Sequence, residues 1–131
     1  MMILQWDDKY SLYVEKIDNQ HKELFRLSRV VESLDKQTTK EEIKKLLNSF
    51  FIYMKEHFHD EEVYMKSIGY PLLKKHCQLH HEIIEDFTSL IKNNNTLQVL
   101  KDGMKKATKK WLIDHIMEND LKIEKWRLLN S

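Results

Sequence analysis

The stretch His57-Phe58-His59-Asp60-Glu61-Glu62 decides how the rest of the chain is read, together with its echo at His76-Cys77-Gln78-Leu79-His80. Four residues along an α-helix advance one turn plus roughly 40°, so His57 and Glu61 share a face, as do His76 and His80. Moving back from His57 by threes and fours meets Met54, Phe50, Leu47 and Ile43; moving forward meets Glu61, Tyr64 and Ile68. The imidazole and the carboxylate therefore occupy inward positions on an apolar seam. The second pair lies on a seam of Leu73, Ile83, Phe87 and Leu90 or Ile91. An unpaired carboxylate among such residues is costly and tends to neutralise, whereas a metal-bound one need not. Two helices, each offering two ligand-type side chains, could hold metal between them.

Composition bounds the setting. The 131 residues are read as a single domain, 1–131, long enough to bury a core. Two Gly and one Pro leave few helix breakers, which points to an all-α fold. With 22 basic and 21 acidic residues the formal net charge is +1, without the imbalance of a nucleic-acid or membrane-surface partner. No apolar run is long enough for a membrane span. The start Met1-Met2-Ile3-Leu4-Gln5-Trp6 lacks the basic n-region of a signal peptide. The single cysteine, Cys77, excludes an internal disulfide and suits a reducing interior. The expected location is cytoplasmic.

In chain order, residues 1–17 mix aromatic and charged side chains without a helical period and are read as an extended arm over a bundle. Asp18 is the expected N-cap of a first helix running to about Lys36, with Ile17, His21, Leu24, Ser28 and Val31 inward. Thr38 or Thr39 caps a second helix, with Glu41 and Glu42 in its first turn, that reaches about Ser67 and stops at Gly69. Pro71 opens a third, ending near Lys92. Asn93-Asn94-Asn95 turns into a fourth, Thr96 to about Glu118, with Leu97, Leu100, Met104, Ala107 or Thr108, Trp111 and His115 inward. The tail carrying Leu121, Ile123 and Trp126 is a candidate short helix. Four helices with short connections predict an up-down-up-down four-helix bundle.

His21, His57, Glu61, His76, His80, His115 and Asp120 converge in this arrangement. His115 and Asp120 are five apart, roughly 140° around a regular helix, so both reach one site only if the helix ends or distorts between them, with Asn119 the expected break. Five imidazoles and two carboxylates are too many for one ion. Two ions bridged by both carboxylates use all seven, and three His on one ion with two on the other leave an open position on the poorer ion. Such donors suit first-row metals, iron, zinc, copper or nickel among them.

The motifs "IDNQHKELF" with His21, "HFHDEE" with His57 and Glu61, "YPLLKKHCQLH" with His76 and His80, and "WLIDHIMEND" with His115 and Asp120 strongly resemble the hemerythrin family, specifically single-domain bacteriohemerythrins. "WDDKYSLYVEKIDNQH" resembles their N-terminal arm. The resemblance implies two iron ions, Fe2+ or Fe3+, with a bridging oxo or hydroxo group, and reversible O2 binding. It further implies that His76, His80 and His115 hold the coordinatively full iron, that His21 and His57 hold the iron with the open position, and that Glu61 and Asp120 bridge. Leu24, Phe58, Ile83, Trp111 and Leu112 are the expected apolar lining of the O2 pocket. Two departures stand out: the family usually has a small residue, often Gly, at Tyr13, and an aromatic at Ile83.

Other residues have simpler readings. His59 and His81 lie off the stripe, Glu62 is expected at the surface, and Cys77 is expected to be a free thiol. Lys105, Lys106, Lys109 and Lys110 form a solvated face, Asn94-Asn95-Thr96 a turn and cap, and Gly103 has no functional reading. The expected function is O2 carriage, storage or supply, with an oxygen-consuming enzyme as a possible recipient and no enzymatic activity beyond weak peroxidase-type chemistry. The alternatives are an O2-, iron- or NO-responsive sensor module and a slow di-iron oxidase or peroxidase. Ferritin-like oxidase sites call for two Glu-x-x-His motifs, and this chain offers only Glu56-His57-Phe58-His59, with Glu56 off the seam.

Overall fold

Helix ends in the computed structural model follow from local hydrogen-bond chemistry. The structure describes residues 6–92 and 96–130, the side chains at 111–114 and 117 excepted; the Asn93-Asn94-Asn95 turn lies outside the described residues. Helix α2, Lys40–Ser67, begins where the Thr39 hydroxyl accepts the Glu42 N–H, a cap worth about 1 kcal/mol. It ends in a Schellman turn: Gly69 at φ +70° lets its own N–H reach the Lys66 carbonyl and the Tyr70 N–H reach that of Met65. Tyr70 then packs with Met65, the apolar contact that accompanies this motif. Pro71 sits in the following turn, just ahead of helix α3, Leu73–Lys92. Helix α4, Leu97–Lys109, is capped by the Thr96 hydroxyl on the Val99 N–H.

The N-terminal part differs from the sequence reading. A 3-10 turn, Asp8–Tyr10, interrupts the arm, and α1 spans Glu15–Glu32 rather than starting after Asp18. Asp18 is inside the helix because its carboxylate is committed to the arm, accepting the Leu12 N–H at 2.9 Å and the Ser11 hydroxyl at 2.5 Å. Val14 stands at the N-cap without a side-chain bond. The helix stops four residues short of Lys36. There Asp35 accepts the Gln37 N–H and the Thr38 hydroxyl accepts the Asp35 N–H, so local side-chain bonds compete with the helix.

The fourth strut does not break at Asn119. It continues from α4 as a π-helical segment, Lys110–Asp120, and returns to α-helix in α5, Leu121–Leu129. Helix α1 packs on α2, α2 on α3, α3 on α4, and α4 closes back on α1, which makes a four-helix bundle. The main core holds Leu24, Phe25, Phe50, Met54, Phe87 and Met104, all fully buried, with Phe50 and Phe87 stacked at 5.4 Å. Each such side chain contributes about 1.5–3 kcal/mol of apolar burial. A smaller cluster of Met65, Tyr70 and Ile123, with Trp126 against it, ties the tail to the α2–α3 turn.

Along α2 the inward order is Phe50, Met54, His57, Glu61, Met65, so the polar residues sit between two apolar clusters. The inward seam shifts from Tyr64 to Met65, since a straight helix drifts against a strict seven-residue repeat. Trp6 and Tyr10 lie against Phe25 with ring centroids 6.0 and 5.6 Å away, so the arm covers the bundle beside His21. Gly103 marks a close helix approach, as a Cβ there would lie 2.5 Å from Leu90 Cδ2. Lys101, unremarked in the sequence, is buried and donates through Nζ to the Asp35 carbonyl. Among the described residues, no helix is long and apolar enough to cross a membrane.

Candidate metal centre

Four struts deliver the polar side chains to one buried point. His21 comes from the middle of α1, His57 and Glu61 from successive turns of α2, His76 and His80 from successive turns of α3, and His115 and Asp120 from the π-helical segment. In an i→i+5 turn, residues five apart return to nearly the same side, which an α-helix would not allow. Leu121 shows the wider winding directly, its N–H reaching the Ile116 carbonyl. The structure brings all seven side chains together, each 3% exposed or less.

The two carboxylates divide the imidazoles into two sets. Glu61 Oε1 lies 2.8 Å from His76 Nε2, 3.0 Å from His80 Nε2 and 3.9 Å from His115 Nε2. Asp120 Oδ1 lies 2.8 Å from His76 Nε2 and 3.0 Å from His115 Nε2. The other oxygens face the other way. Glu61 Oε2 is 3.3 Å from both His21 Nε2 and His57 Nε2, and Asp120 Oδ2 is 3.1 Å from His21 Nε2. Each carboxylate thus gives one oxygen to a three-His set and one to a two-His set. Within each set the ligand-type atoms lie within 4.8 Å of one another.

The donor atoms also suit a cation. His21 Nε2, His115 Nε2, Glu61 Oε2 and both Asp120 oxygens are buried and, among the described residues, find no aligned hydrogen bond despite their proximity. Buried polar atoms left so are costly, and a shared cation resolves them together. Without metal, protons play that part. Burial alone would lower the His21 imidazole, but the Asp120 and Glu61 carboxylates outweigh it and raise it to about 9. His76 and His115 are likewise raised to about 9 by the same carboxylates against burial. His57 goes the other way, lowered by burial and by facing His21. Burial would raise Glu61 and Asp120, yet the surrounding imidazoles hold both below the usual carboxylate range.

Of the residues expected to line a pocket, Leu24, Phe58 and Ile83 are buried, while Trp111 and Leu112 lie outside the described side chains. The Phe58 ring stacks on His80 with centroids 3.8 Å apart and planes within 8°, and comes within 5.8 Å of the His57 ring and 5.9 Å of the His115 ring. His59 and His81 are exposed, His81 pairing with Glu85 at 3.0 Å. Glu62 corrects its surface reading: it is half-buried, and its Oε2 accepts from His80 Nδ1 at 2.8 Å. Cys77 is a half-buried free thiol, pushed up to about 11 by burial and by the Glu62 carboxylate, which makes it a weak nucleophile. Gln20 was missed altogether. It is buried, accepts from His57 Nδ1 at 2.8 Å and donates to Asp60 at 2.7 Å. Its place one residue before His21 was the available signal, since that position turns about 100° towards the neighbouring helix.

The profile of the hemerythrin HHE cation binding domain matches residues 12–126, a span that includes every side chain of the cluster. The chain belongs to the hemerythrin family. A myohemerythrin from Theromyzon tessulatum is 31% identical over 118 residues, covering 90% of this chain and 88% of that protein. A bacteriohemerythrin from Campylobacter jejuni is 28% identical over 118 residues, covering 88% and 89%. Another from Clostridium acetobutylicum is 29% identical over 126 residues, covering 88% and 94%. Position 13 carries a backbone demand of its own. Tyr13 has φ +57°, the left-handed region that favours glycine, and the residue is 76% exposed.

Proposed function

We propose that this hemerythrin binds O2 reversibly at a pair of non-haem iron ions, as a carrier, store or supplier rather than an enzyme. The observation that carries the reading is the division of both carboxylates between a three-His and a two-His set. His76, His80 and His115 would hold one ion, His21 and His57 the other, and Glu61 and Asp120 would span the pair. The two-His set offers fewer protein donors, so an ion held there would leave room for O2. Iron is favoured by family membership, and the nitrogen and oxygen donors suit it. When bound, the iron pair supplies the electrons that hold O2; the protein supplies geometry and dryness.

Dryness comes from Phe58, whose ring stacks on His80, and from Leu24 and Ile83, buried one helical turn along from His21 and His80, with Trp111 and Leu112 proposed to extend the same lining. The arm adds Trp6, whose ring lies 6.4 Å from that of His21. An oxidase of the ferritin kind is disfavoured because Glu56 is exposed on α2 and does not join the cluster. We take 1–131 as one domain acting in the cytoplasm, with an oxygen-consuming enzyme as the natural recipient.

Iron content and absorption spectra of anaerobically reduced protein, before and after air, test the reading. Two irons per chain and a visible charge-transfer band that appears in air and vanishes under vacuum are expected. Two irons that pass straight to the ferric state would replace carriage by a sensor or oxidase role. No iron after reconstitution would remove the site.

A further inference from the structure

We propose that Gln20, backed by Asp60, and Glu62 are positioning residues that fix which ring nitrogen of His57 and of His80 faces the centre; the inference rests on the two-ion reading above. The argument runs through donors and acceptors. Asp60 Oδ2 lies 2.7 Å from Gln20 Nε2, and an ionised carboxylate only accepts, so the amide nitrogen must face Asp60. The Gln20 oxygen is thereby turned to His57 Nδ1 at 2.8 Å. A carbonyl oxygen also only accepts, so Nδ1 carries the hydrogen. That leaves the lone pair on Nε2, the nitrogen 3.3 Å from Glu61 Oε2. Lys16 Nζ, 3.3 Å from the same Asp60 oxygen, anchors the outer end of this chain at the surface.

The second brace is shorter. Glu62 Oε2 accepts directly from His80 Nδ1 at 2.8 Å and leaves His80 Nε2 facing Glu61 Oε1 at 3.0 Å. The consecutive acids Asp60, Glu61 and Glu62 therefore divide the work. Glu61 points to the centre, while its neighbours, each turned about 100° around α2, reach the adjacent helices: Asp60 towards α1 and Glu62 towards α3. The braces are selective, for His21 Nδ1 and His115 Nδ1 have no hydrogen-bond partner among the described residues. They also differ in charge. A neutral amide supports the two-His set, and a carboxylate supports the three-His set, where it makes His80 the stronger donor.

The test uses the full chain loaded with zinc, which is diamagnetic, and with ferrous iron under anaerobic conditions, in competition against a chelator. Gln20→Leu is expected to weaken one of the two ions by about 10–100-fold and to abolish the hydrogen-bonded Nδ1–H resonance of His57 while leaving that of His80. Glu62→Leu is expected to do the reverse. Glu62→Gln keeps an acceptor and loses the charge, so the His80 resonance survives while affinity falls part of the way. Unchanged affinities and resonances in the two leucine variants, with the wild type holding two ions, would overturn the inference alone. A wild type that takes up neither zinc nor iron would overturn the two-ion reading and this inference with it.

Discussion

Replacing Tyr13 by glycine should make the protein more stable, against the usual direction of a large-to-small change. Tyr13 holds φ +57° while 76% of its surface remains exposed, so little apolar burial is lost with the ring. The left-handed conformation costs a residue with a Cβ roughly 1–2 kcal/mol, and glycine returns about 0.4–1 kcal/mol through the added freedom of the unfolded chain. The hydrogen bond from the Tyr13 N–H to the Ser11 hydroxyl, 3.0 Å, survives in the glycine variant. The net gain is about 0.5–1 kcal/mol, or about 2–5 °C in Tm for a chain of this size. Urea unfolding of metal-free wild type, Tyr13→Gly and Tyr13→Ala at one pH measures it. Alanine keeps the Cβ and should gain nothing. Equal stability of the glycine and alanine variants, or a glycine variant weaker than wild type, would show that backbone strain at position 13 is not the controlling quantity.

His115→Ala removes one imidazole from the three-His set and strips Asp120 of a partner 3.0 Å away. Iron per chain should fall below two, and the metal-free protein should lose about 3–5 kcal/mol because a buried carboxylate is left under-compensated; two tightly held irons in this variant would refute its assignment. Metal affinity should rise with pH between about 6.5 and 9 and then level off. His21, His76 and His115, raised to about 9, must shed protons before they can coordinate, while Glu61 and Asp120 stay ionised throughout. The same raised histidines give the metal-free protein stability that is full below 6.5 and lost as pH rises through 9, so its unfolding midpoint should fall over the range in which affinity climbs. A chelator titration and a denaturant series at matched pH values check both slopes; affinity flat between pH 6.5 and 9 would contradict the proton count.

Periodicity carried much of the fold. The seams through His57 and His80 contain several of the buried residues of α2 and α3, because an amphipathic helix writes its inward face into the sequence. Gly69 and Thr39 were legible for the same local reason, each answering a terminal hydrogen-bond need. Competition was harder to read. Asp18 has the chemistry of an N-cap, but its carboxylate is taken by Leu12 and Ser11 across the arm, a contact that no local pattern announces. Gln20, Asp60 and Glu62 offer only their places beside ligand-type residues, since their roles depend on which neighbouring helix each one meets.

The π-helical segment shows the limit of such reading most clearly. The separation of His115 and Asp120 is incompatible with one face of an α-helix, and a break at Asn119 is the simplest remedy the sequence offers. A break there would have freed the chain after Asn119, yet Ile123 and Trp126 must still reach Met65 and Tyr70. Widening the helix meets both demands: Lys110–Asp120 winds loosely enough to turn His115 and Asp120 inward together, and Leu121 resumes the α-helix without losing direction. Wider turns are rare in helices and occur frequently at functional sites. Burial flanks it at either end, where Met104 and Thr108 are buried in the bundle and Ile123 is buried against the α2–α3 turn. Packing on both sides thus holds the widened backbone, and the carboxylate it delivers faces both histidine sets, as Glu61 does from α2.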